Sequence, residues 1–200
     1  MAPRPPAHRK LRKSWHEPGH AHELTFSCYR CWPLLSKDRT RRWLIEALDQ
    51  ARRRWNFALW AYVIMPEHAH VLLFPRRADA DIGEILKAVK QPVAQRAAAY
   101  LCRHNPSWLE HLRVIRRSGR IEYRFWQQGG GYDRNVMRPE TAWQCVEYIH
   151  ENPVRRGLIE SPTDWEWSSA RWYAGVDQVK LDMDEPLPRP SLIRRGRRRR

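Results

Sequence analysis

The chain has 200 residues, 37 of them Lys or Arg against 22 Asp or Glu, for a formal charge of +15. That length suits one domain with appendages or two small ones, and is ample for a core. At 42% hydrophobic residues and a mean hydropathy of −0.78, even the apolar run 58–65 falls far short of the roughly 20 residues of a membrane span. Residues 1–13 hold prolines and bases but no apolar segment of a secretion signal. The expectation is a cytoplasmic, nucleoid-associated protein with no membrane partner.

The charge is uneven. Residues 1–13 carry five basic residues and residues 189–200 carry seven, neither with an acid, so about +3 is left for 14–188. Such runs read as solvated arms whose natural partner is a polyanion. The expected organisation is a basic disordered arm at 1–14, one domain at 15–175, and a Pro-rich, poly-Arg tail at 176–200.

In chain order, Leu24, Phe26 and Cys28 alternate with Glu23, Thr25 and Ser27, which predicts a half-buried strand. Cys28 and Cys31 form a C-x-x-C, but no second pair follows to complete a four-ligand zinc site. A buried Cys28 thiol in a reducing compartment is expected instead. Asp38 is a candidate cap for a helix whose face is Leu44, Ala47, Leu48, Ala51 and Trp55, ending at Asn56.

The aromatic and β-branched run 57–65 predicts a buried strand, and 68–74 a second one after the break at Met65-Pro66-Glu67. Residues 82–89 and 93–101 read as helical, divided or kinked by Pro92. Residues 122–127 resemble a last strand before the hinge Gly129-Gly130-Gly131. The best-marked helix is 139–152, with Pro139 in its first turn, Glu140 complementing the dipole and Asn152-Pro153 as the stop. Strand, helix, strand, strand, helix, strand describes an α+β, ferredoxin-like (RRM-like) sandwich: an antiparallel sheet, helices on one face, and an extra C-terminal helix.

Two constellations carry chemistry. His68 and His70 leave the same face of a predicted strand, where two imidazoles can hold a divalent ion if a third ligand arrives; a pair of satisfied histidines fits as well. On the 139–152 helix, Thr141, Gln144, Tyr148 and Asn152 form a polar stripe, with Tyr148 and Asn152 one turn apart. Read alone, Tyr148 is equally an amphipathic boundary residue and Asn152 a helix stop.

Together, Tyr62-Val63-Ile64-Met65-Pro66-Glu67-His68-Ala69-His70 and Tyr148-Ile149-His150-Glu151-Asn152-Pro153 resemble the two motifs of the single-tyrosine HUH transposases. Phe125-Trp126-Gln127, Tyr132-Asp133-Arg134 and Asp164-Trp165-Glu166-Trp167-Ser168-Ser169 are similar to the REP-associated tyrosine transposase branch. The resemblance runs from about His20 to about Tyr173. It implies His68, His70 and Asn152 as ligands of Mg²⁺ or Mn²⁺, and Tyr148 as the nucleophile. The reaction implied is nicking and rejoining of single-stranded or hairpin DNA through a 5′-phosphotyrosine link. Tyr132 is the rival nucleophile.

One attacking tyrosine per chain, as the resemblance implies, is compatible with a homodimer. Arg41, Arg42, Lys87, Lys90, Trp126 and Arg134 are further candidates for DNA contact, and Trp165 and Trp167 for base stacking. Two other readings stay open: a non-catalytic, domesticated protein that recognises hairpin repeats, and an RNA-binding ferredoxin-like domain. The latter lacks the aromatic strand signature of its class.

Overall fold

The computed structural model describes residues 17–184. The arm at 1–14 and most of the tail, including every arginine from Arg189 onward, lie outside the described residues. The main sheet is built from β1 (Ala21–Ser27), β2 (Phe57–Ile64), β3 (His68–Pro75) and a late strand, Tyr132–Val136. The order is β2–β3–β1 followed by that late strand, antiparallel throughout. Helices α1 (Asp38–Trp55) and α2 (Ile82–His104) connect the strands, and the arrangement is the expected ferredoxin-like one.

Period-2 alternation gives the sheet two different faces. Leu24, Phe26, Leu59, Tyr62, Ala69, Val71 and Leu73 enter the larger core, with Leu44, Leu48, Ile85 and Val89 of α1 and α2. The opposite face is covered by a later helix, Pro139–Arg155, whose Ala142, Cys145, Val146 and Ile149 meet Trp60, Val63, Met65 and Leu72. Among the described residues no helix is long and apolar enough to cross a membrane.

Between the halves lie the short helix α3 (Pro106–Leu109) and a two-stranded sheet of β4 (Arg113–Ile115) and β5 (Ile121–Tyr123). The expected last strand at 122–127 is corrected accordingly. Phe125 and Trp126 are buried plugs in the larger core, and β6 (Tyr132–Val136) is what pairs with β1. Its polar residues hide it from a hydrophobic reading.

Three boundaries also move. Asp38 is the first residue of α1 and not its cap, while Asn56 closes the helix in the left-handed conformation at φ 48°. Pro92 does not divide α2, because Val89 and Val93 on either side stay on one buried stripe. Helix α4 (Pro139–Arg155) continues past Pro153, which sits in its last turn and forfeits only one donor there. The short helix α5 (Ala170–Tyr173) follows.

Strand β2 is an edge strand, yet every residue in it is buried. The chain that follows α4 seals its edge. Ile64 N donates to Trp167 O at 2.9 Å, Ser169 N to Tyr62 O at 3.0 Å, and Tyr62 N to Ser169 Oγ at 2.9 Å. Asp184 pairs with Leu59 in both directions at 3.0 Å and binds Arg76 at 2.7 Å. Segments following α4 thus pack along this edge as far as Asp184 and pair the backbone of Leu59, Tyr62 and Ile64.

At the other edge, Gly131 fixes how β6 docks. Its φ is +76°, and a Cβ would stand 2.0 Å from Thr25 O of β1. Gly131→Ala is expected to break the β1–β6 pairing and cost about 2–4 kcal/mol in urea unfolding. Gly129→Ala, with φ +95° but nothing within 4 Å, should cost about 1–2 kcal/mol, the left-handed penalty alone.

Candidate active site

His68 and His70 project from β3 toward the α4 side, since Ala69 and Val71 between and beyond them fill the other core. The ring nitrogens are held in order. His68 Nδ1 lies 3.0 Å from Glu67 Oε1, an acceptor that also takes a bond from Arg156 Nη1 at 2.7 Å. His68 therefore carries its proton on Nδ1 and leaves Nε2 bare. That nitrogen is 3.0 Å from His70 Nε2, which donates to it, and the Thr25 hydroxyl sits 2.8 Å from His70 Nδ1.

Electrostatics keep both rings neutral. Burial, reinforced by neighbouring His68, pulls His70 down to about 4. Burial also lowers His68, against the opposing pull of Glu67. For Glu67 burial alone would raise the carboxyl, but Arg156 and His68 hold it below the usual carboxylate range. Neutral imidazoles with converging Nε2 atoms are the form that ligates metal.

Helix α4 places the tyrosine. Its apolar stripe lies on the sheet, and His150 Nε2 is tied to Ser169 Oγ at 2.8 Å on the sealed β2 edge. Tyr148 stands one turn away from the buried stripe, 43% exposed, with its ring edge-on to His70 at a centroid distance of 5.8 Å. Arg155 lies 5.2 Å over the same ring.

Asn152 is buried, and its Nδ2 donates to Tyr148 O at 2.7 Å, so Oδ1 is the atom left for a ligand. At steps of four along one face, Tyr148 meets His70 and Arg156 meets Glu67, with Asn152 between them. The metal fit follows from this donor set. Two nitrogens 3.0 Å apart match the edge of an octahedron with ligands at about 2.1 Å. Among the described residues no group of three His, Cys, Asp or Glu could hold an ion; the Asn152 amide oxygen is a donor of another type.

A cleft of about 580 Å³ opens between α4 and the sheet, lined by His70, Tyr148, Gln144, Thr25 and Tyr132. Tyr132 stands opposite Thr25 on β6 and is 44% exposed, so it belongs to a strand and not to a glycine loop. Arg134 also lines the cleft, but it is engaged by Glu23 at 2.7 Å and Cys145 Sγ at 3.0 Å. Sequence reasoning missed Glu67, Thr25 and Arg156; Glu67, next to the first histidine, was the one visible signal.

Several DNA-contact candidates change. Arg41 is buried, with its guanidinium 5.0 Å from the Trp165 ring and 5.5 Å from Trp167, so it serves packing. Trp126 is buried against Phe26 and Phe125, its indole donating to Lys90 O at 2.7 Å; Trp167 is likewise core. Half-buried Trp165 spends its indole donor on Ile64 O. Arg42 is exposed, Lys87 is exposed but paired with Glu84 at 3.1 Å, and Lys90 binds Gly129 O at 3.1 Å. Cys28 is buried, as expected, and Cys31 is exposed.

A ferredoxin-like sheet that sets paired histidines against a helix-borne tyrosine defines a class of protein by fold and site together. The chain resembles REP-associated tyrosine transposases. A Haemophilus influenzae protein named as a candidate member of that group is 23% identical over 143 residues, which is 68% of this chain and 76% of its own length. The REP-associated tyrosine transposase of Escherichia coli K12 is 22% identical over 126 residues, 63% of this chain and 62% of its own. A solved REP-associated tyrosine transposase bound to a REP hairpin shares the fold, with a TM-score of 0.63 at 18% identity, covering 88% of this chain and 93% of that one. No family model matches the chain.

The two strongly lowered histidines make stability depend on pH. His70 and His150 are both held to about 4 by burial, against an ordinary 6.5. Between those values the unfolded chain binds the proton and the folded one does not. Stability is thus full above about 6.5 and falls as pH drops toward 4, by on the order of 2 kcal/mol for each ring. Urea unfolding at pH 7 and 4.5 should show that loss, and His150→Gln should remove about half of it.

Proposed function

We propose that this chain is a metal-dependent transposase that nicks and rejoins single-stranded hairpin DNA through Tyr148. The observation that carries the reading is the placement of the Tyr148 ring edge-on to His70, whose Nε2 converges with that of His68. The resemblance to a transposase solved with a REP hairpin supports hairpin DNA as the substrate.

His68, His70 and Asn152 would hold Mg²⁺ or Mn²⁺. When bound, such an ion polarises a non-bridging phosphate oxygen and orients the scissile phosphate. To ligate through Nε2, His70 moves its proton to Nδ1, and the Thr25 hydroxyl 2.8 Å away accepts that bond as readily as it donated the earlier one. Glu67 holds the His68 tautomer, and Arg156 holds Glu67.

Tyr148 Oη attacks phosphorus, forming a Tyr–O–P bond to the 5′ side while the P–O3′ bond breaks and the 3′ oxygen leaves as a hydroxyl. Arg155, over the Tyr148 ring, brings positive charge to the incoming phosphate. The ester energy stays in the phosphotyrosine link, so a 3′ hydroxyl rejoins the strand by the reverse displacement without a nucleotide cofactor. One attacking tyrosine per chain implies sequential cleavages or two chains acting together.

Two experiments test this. Purified protein, a hairpin oligonucleotide with single-stranded flanks and Mn²⁺ should give a covalent adduct on a denaturing gel. Tyr148→Phe should abolish it and Tyr132→Phe should not; adduct surviving in Tyr148→Phe overturns the nucleophile, and tight binding without any adduct points to a non-catalytic hairpin binder. Separately, Glu67→Gln is expected to weaken Mn²⁺ binding by about 10–100-fold in calorimetry, the usual cost of losing the partner that orients a ligating histidine.

A further inference from the structure

Beyond Tyr148, toward the start of α4, the catalytic cleft runs into a polar array with no part in the Tyr148 chemistry. Arg134 of β6 pairs there with Glu23 of β1 at 2.7 Å and donates to Cys145 Sγ of α4 at 3.0 Å. We propose that Arg134 binds the phosphate adjoining the scissile one, and that Glu23 and Cys145 hold its guanidinium for that task. The inference rests on the reading of this cleft as the path of a DNA strand, but not on Tyr148 as nucleophile.

Register places the guanidinium. Across the sheet, His70 pairs with Thr25 and Thr25 with Tyr132, and α4 sets Tyr148 against this row. Leu72, Glu23 and Arg134 form the next row on the same face, two residues along each strand. Two residues are about 7 Å of strand. Helix α4 runs alongside in the matching sense. Its Arg156 end meets Glu67, next to His68, whereas Cys145, the partner of Arg134, comes three residues before Tyr148. His68 and Asn152 therefore lie on one side of Tyr148 along the helix and Arg134 on the other. A guanidinium held at that level is one step removed from the phosphate that Tyr148 attacks, and faces the next one of the strand.

Charge and exposure suit that role. Among the described residues that line the cleft, Arg134 is the one Arg or Lys. Both of its contacts are made by Nη2, and 40% of the side chain stays accessible. Nη1 is the donor left for a phosphate oxygen, offered in the plane of a fork that the carboxylate already orients. Stability alone does not account for the pair. Glu23 is buried, and a buried ion pair is often no better for a fold than well-packed apolar residues of the same volume. What the pair supplies is a fixed cation at the wall of a cleft, with its counter-ion shielded behind it.

The test measures binding of full-length protein, without divalent ion, to a hairpin with a single-stranded flank. One uncharged methylphosphonate replaces each linkage of the flank in turn, and affinity is read by fluorescence anisotropy. A parallel reaction with Mn²⁺ maps the nicked linkage. Neutralising a linkage that adjoins the nick should cost about tenfold, the weight of one charge-assisted hydrogen bond. Two variants follow: Arg134→Lys keeps an ion pair with Glu23 but has a single nitrogen, and Glu23→Gln/Arg134→Gln leaves no buried charge alone. Both should bind the unmodified strand about tenfold more weakly and become insensitive at that linkage. Unaltered thermal midpoints identify the variants that fold, and either one decides. Equal sensitivity at that linkage in wild type and variant, or sensitivity confined to the nicked linkage, would overturn the proposal. If the wild type nicks nothing, yet one flank linkage loses its sensitivity in the variants, the nicking reading fails and the Arg134 contact stands.

Discussion

The register of β3 is the constraint on which the molecule depends. Its odd-numbered residues Ala69, Val71 and Leu73 fill the core beneath α1 and α2, while His68, His70 and Leu72 face the α4 side. Because side chains alternate with a period of two, a slip of one residue would drive both imidazoles into the aliphatic core and expose Val71. Pairing on both sides forbids the slip: β1 matches Thr25 to His70, and β2 matches Val63 to His70. The same ladder that makes the core therefore sets the Nε2 atoms at their separation.

Helix α4 converts that strand into a site through two contacts of different kinds. Apolar burial fixes its distance from the sheet, and the chain His68–Glu67–Arg156 fixes its position along its own axis. A shielded carboxylate between a histidine and an arginine suits this task, since it is a strong acceptor for both at once. Tyr148 is left exposed at the middle of the helix, where a substrate can reach it, while the groups behind it are held.

Much of this was legible in the sequence. The apolar alternation of residues 24–28, the aromatic and β-branched run 57–65 and the amphipathic stripe of 139–152 marked two strands and the face that α4 buries. The His-x-His spacing put His68 and His70 on one face of a strand, and the i, i+4 step put Tyr148 and Asn152 one turn apart on a helix, as they lie in the structure. Strand β6 was not legible, because Tyr132, Asp133, Arg134 and Asn135 are polar; their partners Glu23 and His22 of β1 lie more than a hundred positions away. Arg41 misled for the opposite reason, since a guanidinium sheltered between two indoles looks like any charged helix residue until the distant Trp165-Glu166-Trp167 segment folds over it. Long-range partners, not local propensity, decided both.

The tie between His150 and Ser169 has a consequence for how the protein comes into being. Ser169 also closes the β2 edge at Tyr62, so one hydroxyl joins the tyrosine-bearing helix to the rim of the sheet. That hydroxyl is synthesised after the helix it secures. On a ribosome, the sheet and α4 emerge first, and the latch arrives with the last part of the domain. A nascent chain that ends before Ser169 thus presents Tyr148 on a helix held by its apolar face and by Arg156, without the His150 latch.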